Sequence, residues 1–146
     1  MMEAIRVKKL RANATLPTYG SDGAAGADLY ACLESDLLIK PGESAFVPTG
    51  LAMEIPANCA GLIYARSGLA CKRGLAPANK VGVVDSDYRG EFMVVLHNHG
   101  AAAQTVCHGE RIAQLVITPV LTPSYLEVDD LSDTERAGGG FGSTGK

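Results

Sequence analysis

Five short segments of this 146-residue chain carry polar side chains where a plain β domain has no use for them. In AGADLYA (25–31), Asp28 interrupts an apolar run, where an acidic side chain is disfavoured. It is either an outward-facing strand position or a carboxylate turned toward a site and a hydrated metal. In YARSGLA (64–70), Arg66, Ser67 and Gly68 line up a forked guanidinium, a hydroxyl and an unshielded backbone N–H. That combination suits phosphate, although a strand-end turn has the same composition. In NKVGVVDSDYRG (79–90), Gly82 breaks an apolar strand, as glycine does where a ligand approaches the backbone. Asp85 and Asp87 would share a face if that strand continued, and a carboxylate pair can do acid–base work; otherwise DSDYRG is a solvated turn. In GERIAQLV (109–116), Gln114 sits in an apolar strand beside Arg111, and a buried amide demands partners from structure or ligand. The fifth segment, RAGGGFGSTGK (136–146), sets Arg136, Phe141, Ser143 and Thr144 among glycines.

That last segment holds a literal G-x-G-x-x-G at Gly140, Gly142 and Gly145, and nearly a P-loop. Both motifs bind phosphate at a helix start that follows a strand. No strand–turn–helix pattern surrounds this one, so it is not a dinucleotide fingerprint. Its glycines can still bring backbone N–H groups close to an anion, as a nest does. His97 and His99 form an H-x-H, but no third ligand stands at a suitable spacing. His108 precedes a turn glycine, and Lys8, Lys9 and Arg11 resemble a solvated edge.

The elements that must carry these groups are strands. Helical periodicity is nearly absent, and short apolar runs recur between glycine and proline: 5–10, 26–32, 36–40, 44–48, 50–56, 60–67, 79–85, 91–98, 103–109 and 111–120. This is the pattern of a sandwich, barrel or jelly roll. PGES (41–44) and DSDYRGE (85–91) are expected to be hairpin loops, and 69–76 a helical turn interrupted by Gly74. MVVL (93–96) and QLVI (114–117) are apolar on successive residues, so both strand faces need cover, which a symmetric oligomer or an overlying loop would supply. From about Leu121 the chain turns acidic and then glycine-rich, as expected of a mobile arm. The expected organisation is one domain over 1–146, with a C-terminal strand and arm over about 121–146.

Composition narrows the function. A net charge of −3 without a basic block argues against a nucleic-acid polymer as partner, while a small anionic ligand needs only a few local cations. Cys32, Cys59, Cys71 and Cys107 are scattered, with no C-x-x-C pair, as expected of thiols in a reducing compartment. No apolar run reaches membrane-span length, and the polar opening MMEAIRVKKL is unlike a signal peptide, so no membrane partner and a cytoplasmic location are expected.

Taken in order, ARSGLA, VVDSDYRG, GERIAQ and GGFGSTG, with AGADLYA before them, resemble the five motifs of the trimeric deoxyuridine triphosphate nucleotidohydrolases, the dUTPases, from Ala25 to Gly145. The resemblance implies an all-β, jelly-roll-like subunit with a flexible glycine-rich C-terminal arm. It further implies a homotrimer with sites at subunit boundaries, and hydrolysis of dUTP to dUMP and pyrophosphate with Mg²⁺. That reaction limits uracil incorporation into DNA and supplies dUMP for thymidylate synthesis. A dCTP deaminase or bifunctional deaminase of the same fold, and a non-catalytic nucleotide-binding regulator, are the alternatives. The former relies on a glutamate in the base pocket, where this chain has Asp85.

Residue by residue, the resemblance assigns uracil to the hairpin from Asn79 to Asp85. The Asn79 amide and the backbone of Gly82, Val83 and Val84 would read the base edge. Tyr88 would stack under the deoxyribose and leave no space for a 2′-hydroxyl, with Met93 near the nucleotide. Asp85 would orient the attacking water. Arg66, Ser67, Gly68 and Gln114 would contact the phosphates, and Arg66 and Gln114 join Asp85 as the catalytic set. Asp28 would meet Mg²⁺ through water, the ion being held mainly by substrate phosphates. Arg136, Gly142 and Ser143 would cover the triphosphate while Phe141 closes over the uracil. Two positions depart from the family pattern: Ala65 stands where many relatives have proline, and Ala137 replaces a common glycine.

Overall fold

The computed structural model describes residues 4–142. Among them are twelve strands and one short helix. The strands are β1 (Val7–Lys9), β2 (Thr18–Tyr19), β3 (Ala27–Tyr30), β4 (Leu37–Ile39), β5 (Ser44–Pro48), β6 (Leu51–Met53), β7 (Cys59–Tyr64), β8 (Leu75–Pro77), β9 (Gly82–Val84), β10 (Met93–Asn98), β11 (Gln104–Val106) and β12 (Arg111–Pro119); the helix is α1 (Ser67–Arg73). Every pairing is antiparallel. The largest sheet runs β2-β3-β12-β7-β9, a second runs β5-β10-β8, and β1-β6 and β11-β4 pair separately. The result is an all-β, jelly-roll-like sandwich.

One core joins these sheets. Leu29, Ala113, Leu115 and Ile63 come from the five-stranded sheet, Val47, Val94, Leu96 and Leu75 from the three-stranded one, and Ile39 and Val106 from β4 and β11. Alternation decides which side chains enter it: in β10, Val94 and Leu96 are buried, while Met93 and Val95 are half-buried on the other face. In β12 the alternation is imperfect: Ile112 and Ala113 are buried in succession beside a register shift in its pairing with β3, Leu115 is buried, and Val116 and Ile117 are half-buried. Two polar side chains are fully enclosed, and both are satisfied. Thr49 Oγ1 donates to the Phe92 carbonyl at 2.7 Å, and Asn98 Nδ2 donates to the carbonyls of Ile39 and Ala102 at 2.9 and 2.8 Å.

The turns at PGES and DSDYRGE form, but neither closes a hairpin. Glu43 N donates to the Lys40 carbonyl at 3.0 Å with Gly42 at φ 77°, a proline–glycine turn. It joins β4 and β5, however, which pair with β11 and β10. DSDYRGE likewise joins β9 to β10, whose partners are β7 and the pair β5 and β8. Gly74 ends α1 instead of interrupting it: it adopts φ 66° as a left-handed cap, and its N–H returns to the Ala70 carbonyl at 3.1 Å. Described residues beyond Val120 form neither strand nor helix, and Leu121 and Tyr125 are 94% and 96% exposed. Their apolar surface has no cover from their own chain.

Candidate active site

β9 is an edge strand. It pairs with β7 on one side, in the register Gly61↔Val84, Leu62↔Val83 and Ile63↔Gly82, and among the described residues has no neighbour on the other. An edge strand leaves backbone N–H and C=O groups unpaired along its free side, a ready-made reader for a planar ligand edge. Gly82 is the first paired residue of β9 and does not break it. A Cβ there would stand 3.3 Å from Ile63 Cβ and 3.4 Å from Asn79 Nδ2, so its absence lets the Asn79 amide lie close to the strand. Asn79 belongs to a turn in which Lys80 N donates to the Pro77 carbonyl at 3.1 Å. The segment from Asn79 to Asp85 is thus a turn feeding an edge strand, not a hairpin, because β8 pairs with β10.

Beside β9 opens a pocket of about 260 Å³ lined by Asn79, Gly82, Val83, Val84, Asp85, Tyr88 and Met93. Every residue expected from that part of the chain is present. Sequence reasoning missed the apolar floor, Phe46, Ile63, Phe92 and Val95. Phe46 lies opposite Val95 in the β5–β10 pairing and is 68% exposed on the face opposite buried Val47. The alternation of SAFVP was the available signal. Asp85 lies just past the end of β9, so Asp85 and Asp87 share a turn and not a strand face; Tyr88 N donates to the Asp85 carbonyl at 3.2 Å to close it. Arg89 Nη1 ties the same turn by donating to the carbonyls of Ser86 and Tyr88 at 2.8 and 2.9 Å.

A second constellation surrounds the end of β7. Arg66 Nε donates to Asp28 Oδ1 at 2.7 Å, and Arg111 Nη1 reaches Asp28 Oδ2 at 3.5 Å. Asp28 is therefore the shared partner of two arginines, a role its sequence context did not reveal. Gln114, opposite Asp28 on β3 and Tyr64 on β7, donates from Nε2 to the Ala65 carbonyl at 2.8 Å and so pins the strand end that leads into Arg66. Ser67 and Gly68 open α1, where first-turn N–H groups have no intrahelical partner, and a Cβ at Gly68 would meet nothing within 4 Å. Two guanidiniums, one carboxylate and open backbone donors form a cradle with local positive excess, suited to an anion.

Asp85 and the arginine cradle lie toward opposite ends of β7, while Gly82 at the start of β9 sits opposite Ile63, nearer the cradle. The β7–β9 register sets Val84 against Gly61, whereas Arg66 lies beyond the other end of β7. Five residues of extended chain separate Gly61 from Arg66, roughly 17 Å at about 3.3 Å each.

Farther along the chain, Arg136 Nε donates to the Gly139 carbonyl at 2.8 Å, and Phe141 is wholly exposed. Ala137 adopts φ 44°, left-handed backbone that favours the glycine common among relatives. Gly142 is also left-handed, at φ 88°. Ser143, like Thr144, Gly145 and Lys146, lies outside the described residues. His97 and His99 stack edge-on with ring centroids 4.5 Å apart, and Ser44 Oγ meets His97 Nδ1 at 2.8 Å. The His99 pKa is held below its ordinary value, by lost solvation first and then by His97 and Lys80. No group of three or more His, Cys, Asp or Glu able to enclose a metal occurs among the described residues.

The family model described as dUTPase matches residues 12–145, which spans both constellations and the glycine-rich arm. The chain belongs to the dUTPase family. Among curated relatives, the deoxyuridine 5′-triphosphate nucleotidohydrolase of Desulfitobacterium hafniense is 52% identical over 131 residues, covering 89% of this chain and 87% of the relative. That of Nautilia profundicola is 49% identical over 142 residues, covering 97% and 99%. Among solved structures, the dUTPase of Staphylococcus bacteriophage 80alpha with dUPNHPP superposes with a TM-score of 0.90 at 28% identity, covering 99% of this chain and 100% of that one. A mutant dUTPase from phage phi11 of S. aureus, described for its coordination of a structural Mg(II) ion, gives a TM-score of 0.80 at 25% identity over 88% and 98% of the two chains.

Proposed function

We propose that this dUTPase-family chain hydrolyses dUTP to dUMP and pyrophosphate as a homotrimer with Mg²⁺, limiting uracil entry into DNA and supplying dUMP for thymidylate synthesis. The observation that carries this reading is the pocket beside β9, where Asn79, Gly82, Val83, Val84, Asp85, Tyr88 and Met93 converge on a free strand edge. Uracil presents a ring N–H donor and a carbonyl acceptor where cytosine reverses them. A mismatched buried polar group costs about 1–3 kcal/mol, so an edge strand with fixed donors and acceptors discriminates by hydrogen bonding. The thymine methyl is rejected by the pocket floor.

Asp85 holds the attacking water at the mouth of this pocket. The water oxygen bonds to the α-phosphorus while its proton passes to the Asp85 carboxylate and on to solvent, the bond from phosphorus to the bridging oxygen breaks, and pyrophosphate leaves with that oxygen. A carboxylate is a weak base, so positioning the water contributes more than basicity. Arg66, with the N–H groups of Ser67 and Gly68, holds the phosphate chain, and Gln114 keeps that strand end in place. Arg136 exchanges its internal bond to Gly139 for the triphosphate as the arm closes, with Gly142 and Ser143 alongside and Phe141 over the base.

The acidic groups present suit a hydrated ion and not a protein-caged one. Asp28 has both oxygens engaged by Arg66 and Arg111, so it would meet a Mg²⁺ ion only through water, with the substrate phosphates as the ion's main hold. Bound with the substrate, Mg²⁺ supplies charge neutralisation for the triphosphate.

Assembly follows from the separation of Asp85 from the cradle. Asp85 lies toward one end of β7 and the anion cradle beyond the other, so the carboxylate that directs water and the groups that hold phosphate complete a site only when a second copy supplies the missing half. The exposed apolar side chains after Val120 support the same reading, since packing against neighbouring copies would bury them. We assign the chain to a single domain with its C-terminal arm over about 121–146. We place it in the cytosol, whose reducing conditions suit four free thiols. Among the described residues, no helix is long and apolar enough to cross a membrane.

The deciding assay is pyrophosphate release against dUTP, dTTP, dCTP and UTP, with light scattering on the same preparation. Selective cleavage of dUTP by a trimer is expected. Ammonia release from dCTP would instead identify the deaminase, and an active monomer would remove the shared site.

A further inference from the structure

We infer that Gly90 and the main-chain carbonyl of Glu91 are positioning elements that fix the Tyr88 ring and, through it, set the preference for a 2′-deoxy sugar. This deepens the dUTP reading above and rests on it for the identity of the sugar. The Tyr88 hydroxyl donates to the Glu91 carbonyl at 2.9 Å, so the side chain folds back across residue 90. A Cβ at Gly90 would collide with Tyr88 Oη and stand 2.6 Å from Cζ and 3.0 Å from Cε2. Gly90 is not among the positive-φ glycines, so its backbone is one any residue adopts. Glycine is needed here for the ring that crosses it and not for the turn.

The carbonyl that receives the hydroxyl is itself held. The Glu91 carboxylate accepts from Gly50 N at 2.8 Å and pairs with Arg11 Nη2 at 2.9 Å. Arg11 Nη1 in turn donates to the Cys32 carbonyl at 3.1 Å. On its other side the Tyr88 ring leans on Phe92, with centroids 6.1 Å apart and planes tilted by 49°. Phe92 is buried, so that support is part of the core. The ring is thus fixed at its hydroxyl, by the space over Gly90 and by Phe92, with its remaining surface in the pocket beside Asn79 and Val83. An added sugar hydroxyl is excluded only while the ring stays there. Tyr88 is also the most yielding partner in the collision, because it is 43% exposed and can swing outward without disturbing the core.

The test compares the intact chain with Gly90→Ala and Tyr88→Phe. Pyrophosphate release gives kcat/KM for dUTP and for UTP, thermal denaturation gives stability, and a crystal structure of Gly90→Ala gives the ring position. Gly90→Ala is expected to lower the dUTP:UTP ratio by at least about 10-fold, by displacing a specificity contact, with a thermal midpoint near that of the unaltered chain. Tyr88→Phe, which loses only the hydroxyl, is expected to move the ratio the same way by less. A Gly90→Ala ratio equal to that of the unaltered chain overturns the inference, as does a parallel loss for both substrates with a lowered midpoint. A variant crystal structure with the hydroxyl still on the Glu91 carbonyl overturns it independently of activity. Should Gly90→Ala fail to fold, an unchanged ratio in Tyr88→Phe overturns it. Failure of the unaltered chain to cleave dUTP defeats the functional reading alone, since the ring position is still read from the structures.

Discussion

Asp28 and Arg66 hold each other across the large sheet: Arg66 Nε donates to Asp28 Oδ1 at 2.7 Å, with the Asp28 side chain 13% exposed and that of Arg66 26%. An acidic residue in an apolar strand therefore has a partner, and the guanidinium proposed to meet phosphate has a fixed direction. Charge-assisted bonds of this kind are worth more than neutral ones. Misplacing a contact group by about 1 Å costs on the order of 100-fold in rate.

Asp28→Asn keeps the shape and removes the charge that directs Arg66. Turnover of dUTP is expected to fall by about 10- to 100-fold. Stability should drop by about 1–2 kcal/mol, given the partial exposure of both groups. Steady-state pyrophosphate release and thermal denaturation measure the two effects. Arg111→Gln serves as a comparison: at 3.5 Å and 53% exposed, its loss should matter less.

Asp85→Asn should reduce turnover at least about 100-fold, the size expected for a lost catalytic group. Affinity for a non-hydrolysable dUTP analogue, read by calorimetry, should survive because the asparagine still fills the mouth of the pocket. Unchanged turnover would remove Asp85 from its role.

Gly26→Ala would place a Cβ 2.5 Å from Gln114 Oε1 and 3.1 Å from Gln114 Cβ. The amide must shift, and its bond to the Ala65 carbonyl goes with it. The expected outcome is a rise in KM for dUTP of about 10-fold, the factor corresponding to 1.4 kcal/mol of lost binding. Steady-state kinetics settles it, with an unaltered KM as the contrary result.

Deletion of residues 136–146 should suppress turnover by at least about 10-fold, because closure over the triphosphate is lost. The thermal midpoint should stay within a few degrees of the full chain. Arg136 bonds to Gly139, and Ala137 to Thr134, so these hydrogen bonds stay within the arm and do not tie it to the folded body. Full activity of the shortened protein would make the arm dispensable.

Nine of the twelve strands lie within the apolar runs of the sequence, and β7 begins one residue before its run, because alternation and turn residues are local signals. β2 and β8 escaped that reading: Thr18–Tyr19 is two residues beside Pro17, and Leu75–Pro77 ends in a proline. Pairing was not legible. Expected hairpins at 41–44 and 85–91 proved to be crossings between sheets, since distant partners win once a core forms. Site residues could be picked out by type, and the family motifs ordered them. Their mutual geometry is invisible in a linear chain, as Asp28 with Arg66, 38 positions apart, illustrates. Phe46 went unnoticed because a lone exposed phenylalanine in a strand is ordinary.

β7 keeps the Asp85 carboxylate and the Arg66 cradle apart, one toward each of its ends. Two chains disabled at different places can therefore repair one another. When Asp85→Asn and Arg66→Gln subunits, each inert alone, are unfolded together and allowed to reassemble, some mixed boundaries inherit both healthy halves. The blend should recover a fraction of native turnover that neither parent shows.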